Sequence, residues 1–572
     1  MSTSHFADEP SQLPLDYLRG LTSMNKDVSV DEQYRVLHVR NPDRSKVALI
    51  SGGGSGHEPA HAGFVGSNSL TAAVGGNIFA SPNTAQVRRA LDIVKNEKGT
   101  LVIVKRYTGD VLHFGMAGES AQHDVEFLIV GDDVAVGKTQ GKIVGRRGLA
   151  GTTLVYKVAG HLAAHGADLA EVKRIAELVA ENCGTIGSSF AHCHVPGTAK
   201  SEPTLKDGEI EIGMGIHNEN GVSKTTQTNK ASLVENMVEM ITSTSDPERS
   251  FVPWKAGDKA VVMLNNLGGL SELELVGLVP HTLAALAKRQ IEVVRLFVGT
   301  FMSSLDMPGF SITALRLPET DADTILAGID ATSSAPGWRP ATVPVLNPEP
   351  TPASAGKAEK VEASGLTSSD LFITAIRAGC QNVIAAEPDI TRYDVIAGDG
   401  DCGLTLKAGA EAILAAIDAG KITPKDVVNS IRTVSEIVEN DMGGTSGALY
   451  AIFFSALAKA LAVAPKGEAT ADTWAKAAKS ALDVLYGYTR ARPPSRTLMD
   501  PLVVFIDALP KSGLAKAAEE AKVAATETAN LQAAAGRAAY VDQEALKKEA
   551  VPDPGAWGLA LLFSGFASAA SA

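Results

Sequence analysis

The β-rich character of this chain stops near residue 337, and nothing else in the sequence restricts its fold as much. Before that point short aliphatic runs recur: Val47-Ala48-Leu49-Ile50, Leu101-Val102-Ile103-Val104, Val125 to Val130, Ala260 to Leu264 and Val293 to Val298. Runs this continuously apolar suit strands covered on both faces, as in parallel sheets. Helical periods lie between them, at Ser81 to Asn96 and Thr153 to His165. The alternation predicts an α/β first domain over 1–337, made of two layered α/β subdomains. Residues 338–365 differ: Pro340, Pro344, Pro348, Pro350 and Pro352 among small and charged residues mark an extended linker. From Leu366 on the strand signature is gone. Helical periods run through 369–386, 404–419, 425–439, 446–464, 471–488, 514–535 and 556–570. The second domain, 366–572, is therefore expected to be almost all helix, with alanines that permit close packing of several helices in a bundle.

Charge and composition remove several function classes. With 45% apolar and 20% charged residues the chain has an ordinary globular composition. A net charge of -13 argues against nucleic acid as a partner, because that needs a basic face. The first ten residues have neither a basic nor an apolar stretch of a signal peptide. No apolar run reads as an unbroken membrane span, since Leu449 to Val463 is interrupted by Ser455 and Lys459. Four scattered cysteines make no disulfide framework, so the expected compartment is the reducing cytoplasm.

In the first domain, Ser51-Gly52-Gly53-Gly54-Ser55-Gly56-His57-Glu58-Pro59 follows a strand directly. Its N–H groups suit hydroxyl or phosphate oxygens, and His57 suits proton transfer, but it lacks the Lys-Ser/Thr ending of a P-loop; taken alone, the run reads first as a tight structural turn. Lys105 and Asp110, in Lys105-Arg106-Tyr107-Thr108-Gly109-Asp110, belong at the same sheet edge. There a carboxylate beside a histidine can take a hydroxyl proton, or Asp110 can simply cap a helix. Gly213-Met214-Gly215-Ile216-His217 places a histidine at the end of a glycine-spaced strand, as a nucleophile or a structural imidazole. Asn265 to Gly269 is another strand-end turn. Cys183, His192, Cys193 and His194 have no finger-type zinc spacing and read as buried residues.

The second domain carries Asp394, Asp399 and Asp401 among glycines, expected in one loop before a helix. Hard divalent cations favour such carboxylates, with a substrate's phosphates completing the shell; a solvated acidic turn is the alternative. Gly398, Gly400 and Gly403 are expected to let the backbone turn. Asp441-Met442-Gly443-Gly444-Thr445-Ser446-Gly447 precedes another apolar helix, where free N–H groups and the helix dipole favour an anion. Arg496-Thr497-Leu498-Met499-Asp500 offers a cation at a helix start, and Asp553-Pro554-Gly555 opens the last helix.

Taken together, SGGGSGHEPAH, YTGD, GMGIH, NNLGG, GDGDCG, MGGTSG, SRTLMD and DPGAW resemble the dihydroxyacetone kinase family in its single-chain, ATP-dependent form, over nearly the whole length. The resemblance implies a first domain that binds a short ketose through Gly54, Ser55, Gly56, His57, Lys105 and Asp110. It implies a covalent hemiaminal on His217, with Asp110 as base and His57 assisting. It implies that the second domain is an all-α helical barrel that binds the nucleotide, with Mg²⁺ on Asp394, Asp399 and Asp401. ATP would meet Asp401, Cys402, Gly403, Leu404, Gly444, Thr445, Ser446, Arg496, Thr497, Asp553, Pro554 and Gly555. A homodimer is implied as well. The chain departs from the family at Arg106 and His113, expected beside the sugar pocket, and at Gly487 to Pro494 beside the nucleotide. The first two leave a four-carbon ketose such as erythrulose open as substrate. Two alternatives to the ATP-dependent kinase are a non-catalytic ketose sensor and a phosphocarrier-dependent kinase using bound ADP. A cyclising lyase on a flavin dinucleotide is a third.

Overall fold

The computed structural model describes residues 5–199, 204–226, 229–349 and 363–571, so part of the expected linker, 350–362, lies outside the described residues. The chain separates into two compact units, Met1–Thr351 and Pro352–Ala572.

The first unit is built on two six-stranded sheets. One contains β1 (Val28–Asp31), β2 (Val36–Val39), β3 (Ala48–Ser55), β4 (Ala72–Ile78), β5 (Thr100–Lys105) and β6 (Val125–Val130), in the order β1-β2-β4-β3-β5-β6. Its β4-β3-β5-β6 part is parallel. The other contains β7 (Cys183–Ser189), β8 (Ile210–Ile212), β9 (Ser223–Thr225), β10 (Lys259–Asn266), β11 (Glu292–Gly299) and β12 (Gly309–Arg316), in the order β11-β10-β12-β7-β8-β9. Here the parallel expectation is corrected. β10 and β11 run parallel, but β10-β12, β12-β7, β7-β8 and β8-β9 are antiparallel. The apolar runs recorded burial on both faces, which an antiparallel central strand shares with a parallel one.

One helix, Gly151–Ala164, packs on β3 and β5 of the first sheet and on β7 and β12 of the second. It is buried on almost every side. Beside it Phe64, Tyr156 and Trp338 form an aromatic cluster with ring centroids 4.6 to 6.4 Å apart. A continuous core takes Leu49 and Ile103 from one sheet and Val261, Met263 and Phe297 from the other. The two sheets are thereby held by burial of several large side chains, each worth roughly 1.5–3 kcal/mol.

The second unit is helical apart from the short pair Leu366–Thr367 and Gly467–Glu468. Its helices are α1 (Leu371–Ala385), α2 (Glu387–Ala397), α3 (Cys402–Asp418), α4 (Val427–Asp441), α5 (Gly444–Ala462), α6 (Ala471–Leu485), α7 (Met499–Glu527), α8 (Gln543–Glu549) and α9 (Pro554–Ser571). Successive packing of α1, α3, α4, α5, α6, α7 and α9, with α9 returning to α1, closes a ring. The ring surrounds a 470 Å³ cavity lined almost wholly by apolar side chains, among them Phe372, Tyr450, Phe454, Trp474, Leu502 and Phe563. The helix expected over 514–535 is instead the later part of α7. It is offset from Met499–Leu509 by Gly513 at φ 78 and ends at Glu527. α5 is long and apolar enough to cross a bilayer, contrary to the reading of its polar interruptions. In this fold it packs against α4 and α6.

Candidate active site

In the first unit the ends of β3 and β5 bring charged side chains round one glycine. The SGGGSG run is demanded by close approach. A β-carbon on Gly54 would stand 2.7 Å from the Ala80 nitrogen, and one on Gly56 (φ +102) 2.7 Å from the Phe79 ring. Ser55 donates its hydroxyl to the Gly76 carbonyl at 3.0 Å. A β-carbon on Gly53 would lie 3.3 Å from Asp110 Oδ2 and 3.6 Å from both His61 Nε2 and Lys105 Cε. His61 Nε2, Lys105 Nζ and Asp110 Oδ1 are buried and find no hydrogen-bond partner among the described residues. Each such atom costs about 1–3 kcal/mol, and a polyhydroxylated ligand in front of Gly53 would satisfy all of them. Burial lowers the Lys105 pKa against the pull of Asp110, and raises that of Asp110 against the pull of Lys105.

His57 and His217 meet at the same place. His57 Nδ1 lies 3.0 Å from the Ser303 carbonyl, so it carries the hydrogen, and its Nε2 faces His217 Nε2 at 3.0 Å. His217 Nδ1 lies 3.2 Å from Glu219 Oε1 and its backbone N–H donates to Glu219 Oε2 at 2.8 Å. Nδ1 must therefore carry a hydrogen too, which leaves one proton shared between the two Nε2 atoms. Burial would raise the Glu219 carboxyl, but the hydrogen bond and charge of His217 outweigh it and hold it at about 2. Burial, with Lys105 adding to it, pushes His57 well below its usual range. Phe79 stacks on His57 at 5.2 Å, and Tyr107 stands edge-on to His217 at 4.6 Å.

His217 is not at a strand end as expected: β8 stops at Ile212 and the histidine sits in the following loop. Arg106 does not join the sugar pocket but lines a separate cavity, whereas His113 packs near Asp110 and bonds Thr84. Residues the sequence reading missed are His61, Glu219, Phe79 and Ser303. The pairing of histidines in HEPAH and the glutamate two places after His217 were visible signals; a backbone carbonyl such as that of Ser303 leaves none.

In the second unit Asp394, Asp399 and Asp401 each offer an oxygen within 4.8 Å of the others, the one such group among the described residues. An all-carboxylate set at this spacing fits a hard divalent cation. The expected single loop is corrected. Asp394 sits on α2, whose start carries Pro388, and its buried carboxylate accepts from the Cys402 N–H at 2.9 Å. Asp401 stands at the N-cap of α3 and Asp399 in the turn between, ion-paired with Arg537. Of the three glycines, Gly400 alone has a left-handed backbone (φ +84); Gly398 ends α2 at φ -157 and ψ -130, and Gly403 lies in α3 against Thr391.

Three helix starts converge there. The Ser446 hydroxyl of α5 bonds the Cys402 thiol of α3, and the charges of Asp394, Asp401 and Asp553 all act on that thiol. Gly443 and Gly444 open α5 with no atom within 4 Å of where their β-carbons would be, and Thr445 is exposed. Leu404 shows a 58% exposed side chain on the first turn of α3. Asp553 caps α9 by accepting from Ala556 N–H at 2.8 Å, with Pro554 and Gly555 following. The Arg496 side chain is corrected from a free cation. It is 1% exposed and donates to the carbonyls of Thr528 and Val551 at 2.5 and 3.0 Å, so this segment offers its backbone and Thr497.

Burial raises the Asp553 carboxyl from 3.8 to about 7, against the Ala556 N–H and Arg496. A raised acid binds its proton more tightly in the folded state, so stability falls as pH rises through 3.8 towards 7. Asp553→Asn should therefore raise the melting temperature at pH 8, by the equivalent of about 1–4 kcal/mol, and change little at pH 4. An equal shift at both pH values would disprove it.

The comparisons with known proteins bear on both units. A Dak1 domain matches residues 19–336 and a DAK2 domain residues 396–568. The chain belongs to the dihydroxyacetone kinase family. It is 43% identical to dihydroxyacetone kinase 2 of Saccharomyces cerevisiae, covering 97% of each chain. It is 38% identical to human triokinase/FMN cyclase, covering 95% of each. The crystal structure of the dihydroxyacetone kinase from C. freundii in complex with AMP-PNP and Mg²⁺ superposes with a TM-score of 0.64 at 30% identity. That match covers 99% of this chain and 100% of the other. Membership of the dihydroxyacetone kinase family makes this chain a phosphotransferase.

Proposed function

We propose that the chain transfers the γ-phosphoryl group of ATP to a hydroxyl of dihydroxyacetone or of a four-carbon ketose such as erythrulose. The ketose is held as a hemiaminal on His217. The observation that carries this is the approach of the two Nε2 atoms at 3.0 Å, with Glu219 fixing the other nitrogen of His217. His217 Nε2 uses its lone pair to attack the carbonyl carbon, while the shared proton passes through His57 to the carbonyl oxygen. The carbonyl π pair becomes the alkoxide that this proton neutralises, and the positive charge moves onto the alkylated His217 ring, where the Glu219 carboxylate at Nδ1–H balances it. Glycerol has no carbonyl and is refused. Asp110, unpartnered at Oδ1, takes the proton of the accepting hydroxyl, and Lys105 and His61 hold the remaining oxygens. In the second unit Asp394, Asp399 and Asp401 would hold Mg²⁺, and the open helix start at Gly443-Gly444-Thr445-Ser446 would cradle phosphate oxygens. When bound, Mg²⁺ neutralises phosphate charge in the transferred group. The reading extends to a homodimer in the cytoplasm.

A non-catalytic sensor would have no use for the aspartate group, and a phosphocarrier-dependent kinase would need a second protein. Purified chain given ATP, Mg²⁺ and dihydroxyacetone alone should therefore form the phosphate ester, with ADP. Asp399→Asn should abolish that turnover and spare ketose binding. No ester from the unmodified chain, or unimpaired turnover in the variant, would refute the reading. A second activity, cyclising elimination on a flavin dinucleotide, is favoured by the name of the human relative and would use the same nucleotide site.

A further inference from the structure

The first unit has a second cavity, of 560 Å³, beyond the carboxyl ends of β5 and β6. Four cations line it, Arg106, Lys138, Lys142 and Arg146, against two carboxylates, Glu177 and Glu181. This is a surplus of positive charge on a chain of net charge -13. Glu177 is drawn towards Lys173 at 3.7 Å. The nearby Asp132 spends its oxygens on the N–H groups of Leu149 and Gly151 and on the Thr185 hydroxyl.

Arg146 is the centre of the arrangement. Its guanidinium lies over the Phe251 ring, 4.1 Å from the centroid, and its Nη1 is buried with no hydrogen-bond partner among the described residues. Lys138 Nζ is positioned by the Ser250 hydroxyl at 2.8 Å. Arg106 runs in a slot that only glycine permits. A β-carbon on Gly145 (φ +76) would overlap its Cδ, and one on Gly131 would stand 3.3 Å from its Nε. The backbone therefore positions Arg106, and the unmet Nη1 of Arg146 inside a cationic cavity calls for an oxyanion.

We propose that this cavity binds a phosphoryl dianion, as a small phosphomonoester or as free phosphate. The planar donors of Arg106 and Arg146 suit its oxygens, and the volume suits a small metabolite. The site lies back to back with the ketose site. Lys105 and Arg147, the chain neighbours of Arg106 and Arg146, face the other way. Lys105 lies against Gly53, and Arg147 donates to the Gly213 carbonyl at 2.7 Å under the loop that carries His217.

The test is calorimetric titration of the full chain, with AMP-PNP and Mg²⁺ saturating, using sn-glycerol 3-phosphate in one arm and inorganic phosphate in the other. Glycerol 3-phosphate has no carbonyl and cannot occupy His217 covalently. Saturable binding in either arm is expected, and the arm that binds tighter identifies the source. The exposed pair Arg106→Gln and Lys142→Gln should together weaken it at least about tenfold. His217→Ala should leave it unchanged, which separates this site from the ketose reading. No saturable binding in either arm, or undiminished affinity in the double variant, overturns the proposal.

Discussion

Replacing His217 by alanine should remove the covalent ketose adduct and cost on the order of 10³ in kcat/KM for dihydroxyacetone. The adduct is seen as a mass increment of one ketose on the intact chain. The imidazole does two things that alanine cannot. On the proposed mechanism it turns a dissociable ligand into a tethered one, and it selects for a carbonyl. The variant should therefore treat dihydroxyacetone and glycerol alike, both poorly. Glu219 makes this a clean experiment. Held at about 2, it stays ionised across the working range and keeps the His217 Nδ1–H in place, so adduct formation should not fade from loss of that contact above pH 5. An adduct that persists in the variant would move the nucleophile elsewhere.

Asp110→Asn should lower turnover by roughly 10²–10⁴ while the adduct on His217 still forms. The base works only when ionised. Burial lifts its pKa above the usual carboxylate range, so activity should fall away as pH drops through that raised value. The asparagine variant should lose that acid limb, leaving a low, flat profile. A variant with near-normal rate, or with the limb intact, would take the role from Asp110. Ser81 and Lys105, which both favour the ionised form, limit how far the limb can move.

What could be read in advance follows from what each residue leaves in the sequence. Leu101 to Val104 announced a strand because both its faces are covered. The same signal said nothing of direction, which is why the antiparallel pairing of β12 with β10 on one side and β7 on the other was unforeseen. β7 itself, CGTIGSS, hardly resembles a strand. Its Gly184 is small because Val134 and Ile241 press on it, a tertiary demand. The motifs pointed to His57, Lys105, Asp110, His217 and the three aspartates by residue type, and the structure brings the first four round one pocket and the aspartates into one group. His61, a second histidine of one motif, went unassigned, and the Ser303 carbonyl had no residue-type signature. Arg496 and Arg106 show the opposite limit: a cation in a motif gives charge, and packing alone decides whether it faces solvent, core or a different cavity.

The histidine pair spans a seam. His57 comes off β3 of one sheet, whereas His217 and the Ser303 carbonyl that orients His57 both belong with the other. On the proposed mechanism, catalytic competence is a gauge of whether the two sheets of the first unit stay together. Warming that merely loosens the Gly151–Ala164 helix between them should silence the enzyme while most of its secondary structure persists.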